Sequence, residues 1–145
     1  CAMWLMRDPE ALEGVVLPNM FGDIASDLAS VLQCGLGMAA SANLGPKHML
    51  FEPVHGSTPK YSGQKVVNPI ATIQSVQMMF EVLAYRKDDD DLDMCADILQ
   101  QSIQQHFEEG GIVTYDLGGD ASTSEVGQAI ADRCEEMLRK QFATA

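Results

Sequence analysis

The chain has 145 residues, of which 46% are hydrophobic, and a formal net charge of −12 at pH 7 from 9 Lys and Arg against 21 Asp and Glu. This length and apolar content suit one globular domain rather than a disordered chain, and the negative charge argues against nucleic-acid backbones and anionic membranes as partners. No apolar run approaches the roughly 20 residues of a membrane span and no signal peptide opens the chain, so a cytoplasmic protein is expected.

The first half of the chain is predicted to alternate between helix and strand. In chain order, the predicted elements are the end of a helix at residues 1–7, a short apolar strand at 14–17, an amphipathic helix at 23–33 and a buried strand at 49–51. Apolar side chains recur at helical spacing in the second helix. Those expected on its buried side are Ile24, Leu28, Val31 and Leu32.

The second half is predicted to be mainly helical, with helices at residues 71–85, 92–108 and from the capping box at 122–125 to about residue 142. The core-facing stripe of the first of these is predicted to contain Ile73, Val76, Phe80 and Leu83. A short strand is predicted at 111–115. The four aspartates at 88–91 predict a solvated loop whose last acid caps the next helix. A calcium site is the less favoured alternative, because the segment lacks the alternating ligands and the central glycine of a calcium-binding loop.

The four cysteines are Cys1, Cys34, Cys95 and Cys134, and they lie far apart in the sequence. No C-x-x-C pair is present, so neither a zinc site nor a thioredoxin-like redox motif is indicated. Reduced thiols are therefore expected, in keeping with a cytoplasmic location.

Two carboxylates, Asp23 and Asp27, lie four residues apart after the first predicted strand. On a helix this spacing places them one above the other on a single face, where they repel each other. A divalent cation between them would remove that repulsion, and hard oxygen ligands favour Mg²⁺ or Mn²⁺ over Zn²⁺. The alternative is a first helical turn that carries acids because the helix dipole favours them there.

The loop at residues 52–68 is the second candidate site. His55 beside Gly56 can present an imidazole to an adenine, Lys60 and Tyr61 offer an ammonium and a phenol to a phosphate monoester, and Asn68 carries the donor and acceptor that reading a purine edge requires. The alternative is an irregular surface loop with a structural histidine. Long ordered loops in compact domains are often functional.

Taken together, these stretches resemble the metal-dependent β-decarboxylating dehydrogenases, the family of isocitrate and 3-isopropylmalate dehydrogenases. The family signature N-x-x-G-D-x-x-S-D is complete at residues 19–27, and the coenzyme loop is present as E-P-V-H-G-S-T-P at 52–59, closed by N-P at 68–69. The resemblance implies an α/β fold: an open mixed sheet with helices on both faces, of which this chain is the C-terminal portion. It also implies residues 1–18 at the edge of a small dimerisation domain and 19–145 mostly in the large coenzyme-binding domain.

The resemblance further implies oxidative decarboxylation of a small-molecule 2-hydroxy diacid with NAD(P) and Mg²⁺ or Mn²⁺. Asp23 and Asp27 are the implied metal ligands, catalytic through the metal. The implied coenzyme-binding residues are Glu52, His55, Gly56, Ser57, Lys60, Tyr61, Val67, Asn68 and Tyr115. The third metal aspartate, the substrate arginines and the catalytic Tyr and Lys come from upstream segments in this family, so the chain alone is expected to be inactive and the full-length protein to be a homodimer.

NADP is favoured over NAD by the same resemblance. Lys60 and Tyr61 occupy the positions that contact the 2′-phosphate in NADP-dependent relatives. Val67 and Tyr115 also match the residues of the NADP-dependent relatives. Gly119 stands where a phosphate-binding arginine is expected, which removes one charge-assisted contact without reversing the preference. Cys34 stands where this family usually has glycine.

The substrate is left open between two candidates. The D-L-G-G segment at 116–119 is typical of isopropylmalate dehydrogenases, so 3-isopropylmalate is the first choice, and NADP-dependent isocitrate dehydrogenase is the alternative. A non-catalytic regulatory subunit of the same fold is a further alternative, although such relatives typically lose residues corresponding to Asp23, Asp27 or His55. A free-standing NADP-binding module would have no need for the two aspartates.

Overall fold

A β-hairpin and three long helices form most of the computed structural model, which describes residues 1–143. The helices are α1 (Ala2–Arg7), α2 (Asn19–Ser30), α3 (Ile70–Lys87), α4 (Asp90–Glu108) and α5 (Thr123–Ala143), and the strands are β1 (Ala40–Leu44) and β2 (Met49–Pro53). Single turns of 3₁₀-helix lie between them. The α/β class predicted from the sequence is confirmed.

Among the described residues, β1 and β2 form a two-stranded sheet. They pair antiparallel, from Ala40 opposite Pro53 to Leu44 opposite Met49. The backbone N–H of Gly45 donates to the carbonyl oxygen of His48 at 3.0 Å and closes the connection. Strand β2 agrees with the predicted strand at 49–51. Strand β1 was not predicted, because its small and polar residues have little intrinsic preference for strands.

The hydrophobic core lies where α3, α4 and α5 meet. Helix α3 packs against both strands of the hairpin and against α4, and α4 packs against α5. The fully apolar centre comprises Ile70, Ile103, Val126 and Ile130. In the predicted stripe of α3, Ile73, Phe80 and Leu83 are partly buried, whereas Val76 is exposed.

Two predicted strands, at residues 14–17 and 111–115, are wrong. Neither segment joins a sheet, and Val16 is 99% exposed. A strand forms only where a neighbouring strand accepts and donates its backbone hydrogen bonds, and none lies beside either segment in the described chain. The second segment instead leads into a 3₁₀ turn at Tyr115–Leu117.

The predicted burial of the apolar stripe on α2 is also wrong. Ile24 is 63% exposed and Val31 and Leu32 are exposed, whereas Leu28 is partly buried. Within residues 1–143, α2 contacts α1 and the short turns that follow it, so nothing covers this side of the helix. The helix also begins at Asn19, earlier than predicted, and tightens into a 3₁₀ turn at Val31–Gln33.

Side-chain caps fix the starts of the last two helices, α4 and α5. Asp89, not Asp91, caps α4: its carboxylate accepts from the backbone N–H groups of Asp91 and Leu92, both at 3.1 Å. The predicted capping box is confirmed. The Glu125 carboxylate accepts two hydrogen bonds from Ser122, one from its backbone N–H at 2.8 Å and one from its hydroxyl group at 2.7 Å. Both hydrogen bonds lower the pKa of Glu125, and the one from the backbone N–H has the larger effect.

No helix in the described part of the chain combines the length and the hydropathy required to cross a bilayer.

The difference between the core and the α2 stripe gives a direct test. Ile130→Ala removes a side chain that is 2% exposed and should lower the free energy of unfolding by about 3 kcal/mol, because it leaves a cavity in the core. The matched control Ile24→Ala removes the same atoms from an exposed position and should change stability by less than about 0.5 kcal/mol. Chemical denaturation of the 145-residue chain measures both, and equal losses would contradict the fold described here.

Candidate functional site

Asn68 is the centre of the candidate site. It is 7% exposed, and its side-chain amide is held at both ends: Oδ1 accepts from the backbone N–H of Ile70 at 3.0 Å, and Nδ2 donates to Asp116 Oδ2 at 3.1 Å. A further contact joins Nδ2 to the sulfur of Met38 at 3.5 Å. A buried amide requires such partners, and together they fix which way the donor and acceptor face.

The residues before Asn68 are held by the start of α5. The Thr123 hydroxyl donates to the carbonyl oxygen of Val67 at 2.5 Å, and its backbone N–H donates to the carbonyl oxygen of Lys65 at 2.8 Å. The capping box at Ser122 sets the position of Thr123. The end of the 52–68 loop is therefore clamped from two sides, by α5 and by the segment that carries Asp116.

A cavity of about 170 Å³ opens beside Asn68. It is lined by Leu36, Gly37, His55, Thr58, Tyr61, Val67, Asn68, Tyr115 and Asp116. Five of the nine predicted coenzyme residues, namely His55, Tyr61, Val67, Asn68 and Tyr115, thus share one cavity. Its volume is smaller than the roughly 300–1,000 Å³ of a typical small-molecule pocket, so it is the size of a subsite for one part of a ligand.

Two tyrosines and a lysine form the polar rim of this cavity. The rings of Tyr61 and Tyr115 lie 5.8 Å apart between centroids, and Lys60 Nζ lies 5.4 Å from the centroid of Tyr61. A hydrogen bond from Tyr115, then the positive charge of Lys60, lowers the pKa of Tyr61. The same hydrogen bond raises the pKa of Tyr115. The rim therefore presents two phenols and one ammonium group within reach of a bound anion.

The turn that carries Lys60 and Tyr61 starts from a strained residue. Thr58 has φ 44° and ψ 56°, a left-handed conformation that is unfavourable for a β-branched side chain. Strain of this kind persists only where surrounding contacts impose it, and it concentrates at binding sites. Here it turns the chain into the 3₁₀ segment Pro59–Tyr61.

Four of the predicted coenzyme residues do not line the cavity. Glu52 is an exposed residue of β2, paired with Ser41, and Gly56, Ser57 and Lys60 are exposed. His55 Nδ1 lies 2.9 Å from the carbonyl oxygen of Gly56, within its own turn. Glu52, Gly56, Ser57 and Lys60 are close in sequence to residues that line the cavity, but among the predicted coenzyme residues only the five named above line it.

Sequence reasoning missed four lining residues: Leu36, Gly37, Thr58 and Asp116. Gly37 is needed because a Cβ there would lie 2.8 Å from Asp116 Oδ2 and 2.9 Å from Asn68 Cβ. Asp116 lies in the D-L-G-G segment, which indicated a substrate but did not indicate Asp116 as part of the cavity. The signal available for it was its position next to Tyr115, a predicted coenzyme residue.

Asp23 and Asp27 lie outside the cavity, on α2. Their spacing of four residues on a continuous helix places them on one face, and both are exposed. Among residues 1–143 no cation pairs with either carboxylate, and no group of three or more His, Cys, Asp and Glu side chains is arranged to hold a metal ion. Two unpaired carboxylates on one helical face fit part of a Mg²⁺ ligand set, which commonly contains one or two carboxylates completed by water and substrate oxygens.

A short connection joins the aspartate helix to the cavity wall. After α2 the chain makes the 3₁₀ turn Val31–Gln33, reverses at Cys34, and enters the segment Leu36–Met38, which lines the cavity. Cys34 has φ 67°, in the left-handed region that favours glycine. This conformation gives a physical reason for the glycine that the family resemblance implies at this position.

Comparisons with known proteins identify the family of this chain. The family model described as isocitrate/isopropylmalate dehydrogenase matches residues 1–130. Homoisocitrate dehydrogenase of Methanocaldococcus jannaschii is 40% identical over 138 residues, covering 95% of this chain and 38% of that protein. The 3-isopropylmalate dehydrogenase of Methanothermobacter thermautotrophicus is 40% identical over 135 residues, covering 93% of this chain and 39% of that protein.

Solved structures give the same result. Isocitrate dehydrogenase from Methylococcus capsulatus matches with a TM-score of 0.83 and 36% identity, covering 92% of this chain and 38% of that one. A β-decarboxylating dehydrogenase from Thermococcus kodakarensis matches with a TM-score of 0.79 and 34% identity, covering 95% and 39%.

The chain belongs to the isocitrate/isopropylmalate dehydrogenase family. It spans just under two fifths of the length of the curated relatives named above.

The close approach at Gly37 can be tested by adding one methyl group. Gly37→Ala should lower the free energy of unfolding by about 1–3 kcal/mol, because the new Cβ overlaps Asn68 and Asp116. In the control Gly127→Ala the new Cβ meets nothing within 4 Å on α5, so stability should be unchanged or raised by up to about 1 kcal/mol. Urea unfolding of both variants measures the difference, and equal stabilities would refute the contact.

Proposed function

We propose that this chain is part of an NAD(P)- and Mg²⁺- or Mn²⁺-dependent dehydrogenase that oxidises and decarboxylates a 2-hydroxy diacid. The observation that carries the proposal is the cavity beside Asn68, in which five residues of the predicted coenzyme set lie together. Family membership supports the reaction class. In this proposal residues 1–18 belong to the edge of the small dimerisation domain and 19–145 mostly to the large coenzyme-binding domain.

The cavity is assigned to the adenosine end of the coenzyme. The buried Asn68 amide, fixed by Ile70 and Asp116, offers a preset donor and acceptor to the edge of an adenine, and His55 supplies a flat ring beside it. Lys60, Tyr61 and Tyr115 on the rim would hold the 2′-phosphate of NADP through a charge and two hydroxyl groups. This supports NADP over NAD.

Asp23 and Asp27 are assigned to the metal. When bound, Mg²⁺ or Mn²⁺ supplies Lewis-acid polarisation of the substrate oxygen that is oxidised. The contribution of this chain is to hold two carboxylate side chains on one face of a helix. Because neither pairs with a cation in the described chain, no internal salt bridge has to be broken for a metal to bind.

The substrate is proposed to be 3-isopropylmalate, with isocitrate as the alternative. Both contain the same 2-hydroxy diacid unit, and relatives named for each, together with one named for homoisocitrate, have similar identities to this chain. The D-L-G-G segment at 116–119 supports 3-isopropylmalate. The active molecule is proposed to be a homodimer of the full-length protein.

The proposed reaction is tested with a full-length enzyme containing this chain, assayed with NADP⁺ and NAD⁺ against 3-isopropylmalate and isocitrate in Mn²⁺. We expect turnover with 3-isopropylmalate, a preference for NADP⁺, and loss of turnover when EDTA removes the metal. Asp23→Asn and Asp27→Asn should each reduce kcat by at least about 100-fold, because the metal is needed for the chemical step.

The 145-residue chain alone should be inactive in the same assay. Turnover of isocitrate instead of 3-isopropylmalate would select the alternative substrate. Absence of turnover with both substrates, in a protein that still binds NADP⁺, would indicate a non-catalytic subunit and overturn the proposed reaction.

The coenzyme preference is tested at Lys60. Lys60→Ala should raise the KM for NADP⁺ about tenfold and change the KM for NAD⁺ less than about twofold, because only NADP carries the 2′-phosphate that the ammonium group would contact. Lys47→Ala removes the same charge from an exposed position in the hairpin connection and serves as the control. An equal effect on both coenzymes would place Lys60 outside the phosphate site.

A further inference from the structure

We infer that His106 is a positioning residue: its imidazole fixes the segment at 111–116 and so places Tyr115 and Asp116 on the cavity. This inference rests on the proposed function, because it gives the segment a role in holding the adenosine end of the coenzyme. His106 itself does not line the cavity. It would act through the backbone of the segment that follows α4.

The imidazole is buried and makes one directed hydrogen bond. His106 is 1% exposed, and its Nε2 lies 2.7 Å from the carbonyl oxygen of Ile112. Because a carbonyl oxygen only accepts, Nε2 must carry the hydrogen. Nδ1 has no hydrogen-bond partner among the described residues. The ring also meets Phe107 edge-to-face, with centroids 5.7 Å apart.

The same residue holds the end of α4 through its backbone. Gly110 has φ 69°, its N–H donates to the carbonyl oxygen of Phe107 at 3.1 Å, and the N–H of Gly111 donates to the carbonyl oxygen of His106 at 2.7 Å. This is the Schellman pattern of helix termination. His106 therefore contacts the departing chain twice, through its carbonyl group at Gly111 and through its side chain at Ile112.

The imidazole of His106 occupies the space that a side chain at Gly111 would need. A Cβ at this position would lie 2.5 Å from Cε1, 2.6 Å from Nδ1 and 2.7 Å from Nε2 of His106. The ring thus lies directly on the glycine backbone, and no side chain fits between them. The histidine and the glycine form one unit that sets the direction in which the segment leaves the helix.

After this unit, hydrogen bonds hold successive residues of the segment as far as the cavity. The carbonyl oxygens of Val113 and Thr114 accept from the N–H groups of Ala121 and Gly119, both at 3.1 Å. The Thr114 hydroxyl then donates to Asp116 Oδ1 at 2.5 Å, and Asp116 Oδ2 accepts from Asn68. The position of the Asp116 carboxylate therefore depends on where the segment begins.

Filling apolar volume does not by itself explain histidine at this position. Leucine would fill a similar apolar volume, whereas histidine leaves one buried nitrogen without a partner, at a cost in stability. What histidine adds over leucine is the donor to the Ile112 carbonyl group. That donor fixes the segment and is the property to be tested.

The test compares four variants of the 145-residue chain. His106→Leu removes the donor, His106→Gln keeps an N–H donor at a similar distance, and Gly111→Ala displaces the ring. Ile103→Ala shortens a core side chain on the same helix and removes neither partner of the His106 hydrogen bond. Amide hydrogen exchange of Gly119 and Ala121 is measured by NMR relative to Val54, which follows β2 and donates its N–H to the carbonyl oxygen of Ala39. Affinity for adenosine 2′,5′-bisphosphate is measured on the same variants.

We expect His106→Leu and Gly111→Ala to speed exchange at Gly119 and Ala121 about tenfold relative to Val54, because the Ile112 carbonyl group loses its donor. For the same reason, both variants should bind adenosine 2′,5′-bisphosphate about fivefold more weakly. His106→Gln should restore both to within about twofold of the parent chain, and Ile103→Ala should leave both unchanged at temperatures where it is folded. The ¹⁵N shifts of the His106 ring should show hydrogen on Nε2.

Two results would overturn the inference: normal exchange in His106→Leu and Gly111→Ala, or equal effects of His106→Leu and Ile103→Ala. If the parent chain binds none of adenosine 2′,5′-bisphosphate, NADP⁺ and NAD⁺, the coenzyme assignment fails instead. The exchange measurements then still decide whether His106 holds the segment, because they require no ligand.

Discussion

The buried amide of Asn68 is the interaction on which the arrangement of the site depends. Through Ile70 it joins the first turn of α3, through Asp116 it joins the segment after α4, and through Met38 it joins the turn after α2. A buried amide that lost one of these partners would leave a polar group unsatisfied, so the three segments are held together by a single side chain. The cavity exists where they meet.

Charge explains why the site needs local organisation. The chain as a whole is strongly acidic and repels an anionic coenzyme at a distance. Attraction must therefore come from a few groups at short range, and the rim provides them as one ammonium group beside two interacting phenols. The exposed Asp23 and Asp27 have the opposite sign and lie on a separate helix, as the proposed sites for a cation and for a phosphate require.

The candidate site was largely predictable where residue chemistry is encoded by short motifs. The sequence indicated both the aspartate pair and the loop containing His55 and Asn68. It did not indicate Gly37 or Asp116 as parts of the cavity, because their roles arise from close approach between segments far apart in the chain. His106 was not singled out either, since a buried histidine on an amphipathic helix has no local signature of its contacts.

The sequence by itself determined the family, the long helices and the capping box at Ser122, because these depend on motifs and on contacts between residues close in the chain. Tertiary structure decided which apolar stripes are buried and which extended segments become strands. Residues 14–17 form no regular secondary structure, whereas β1 is a strand because β2 lies beside it. Burial and pairing require a partner surface, and the position of that surface is a property of the folded chain, not of the local sequence.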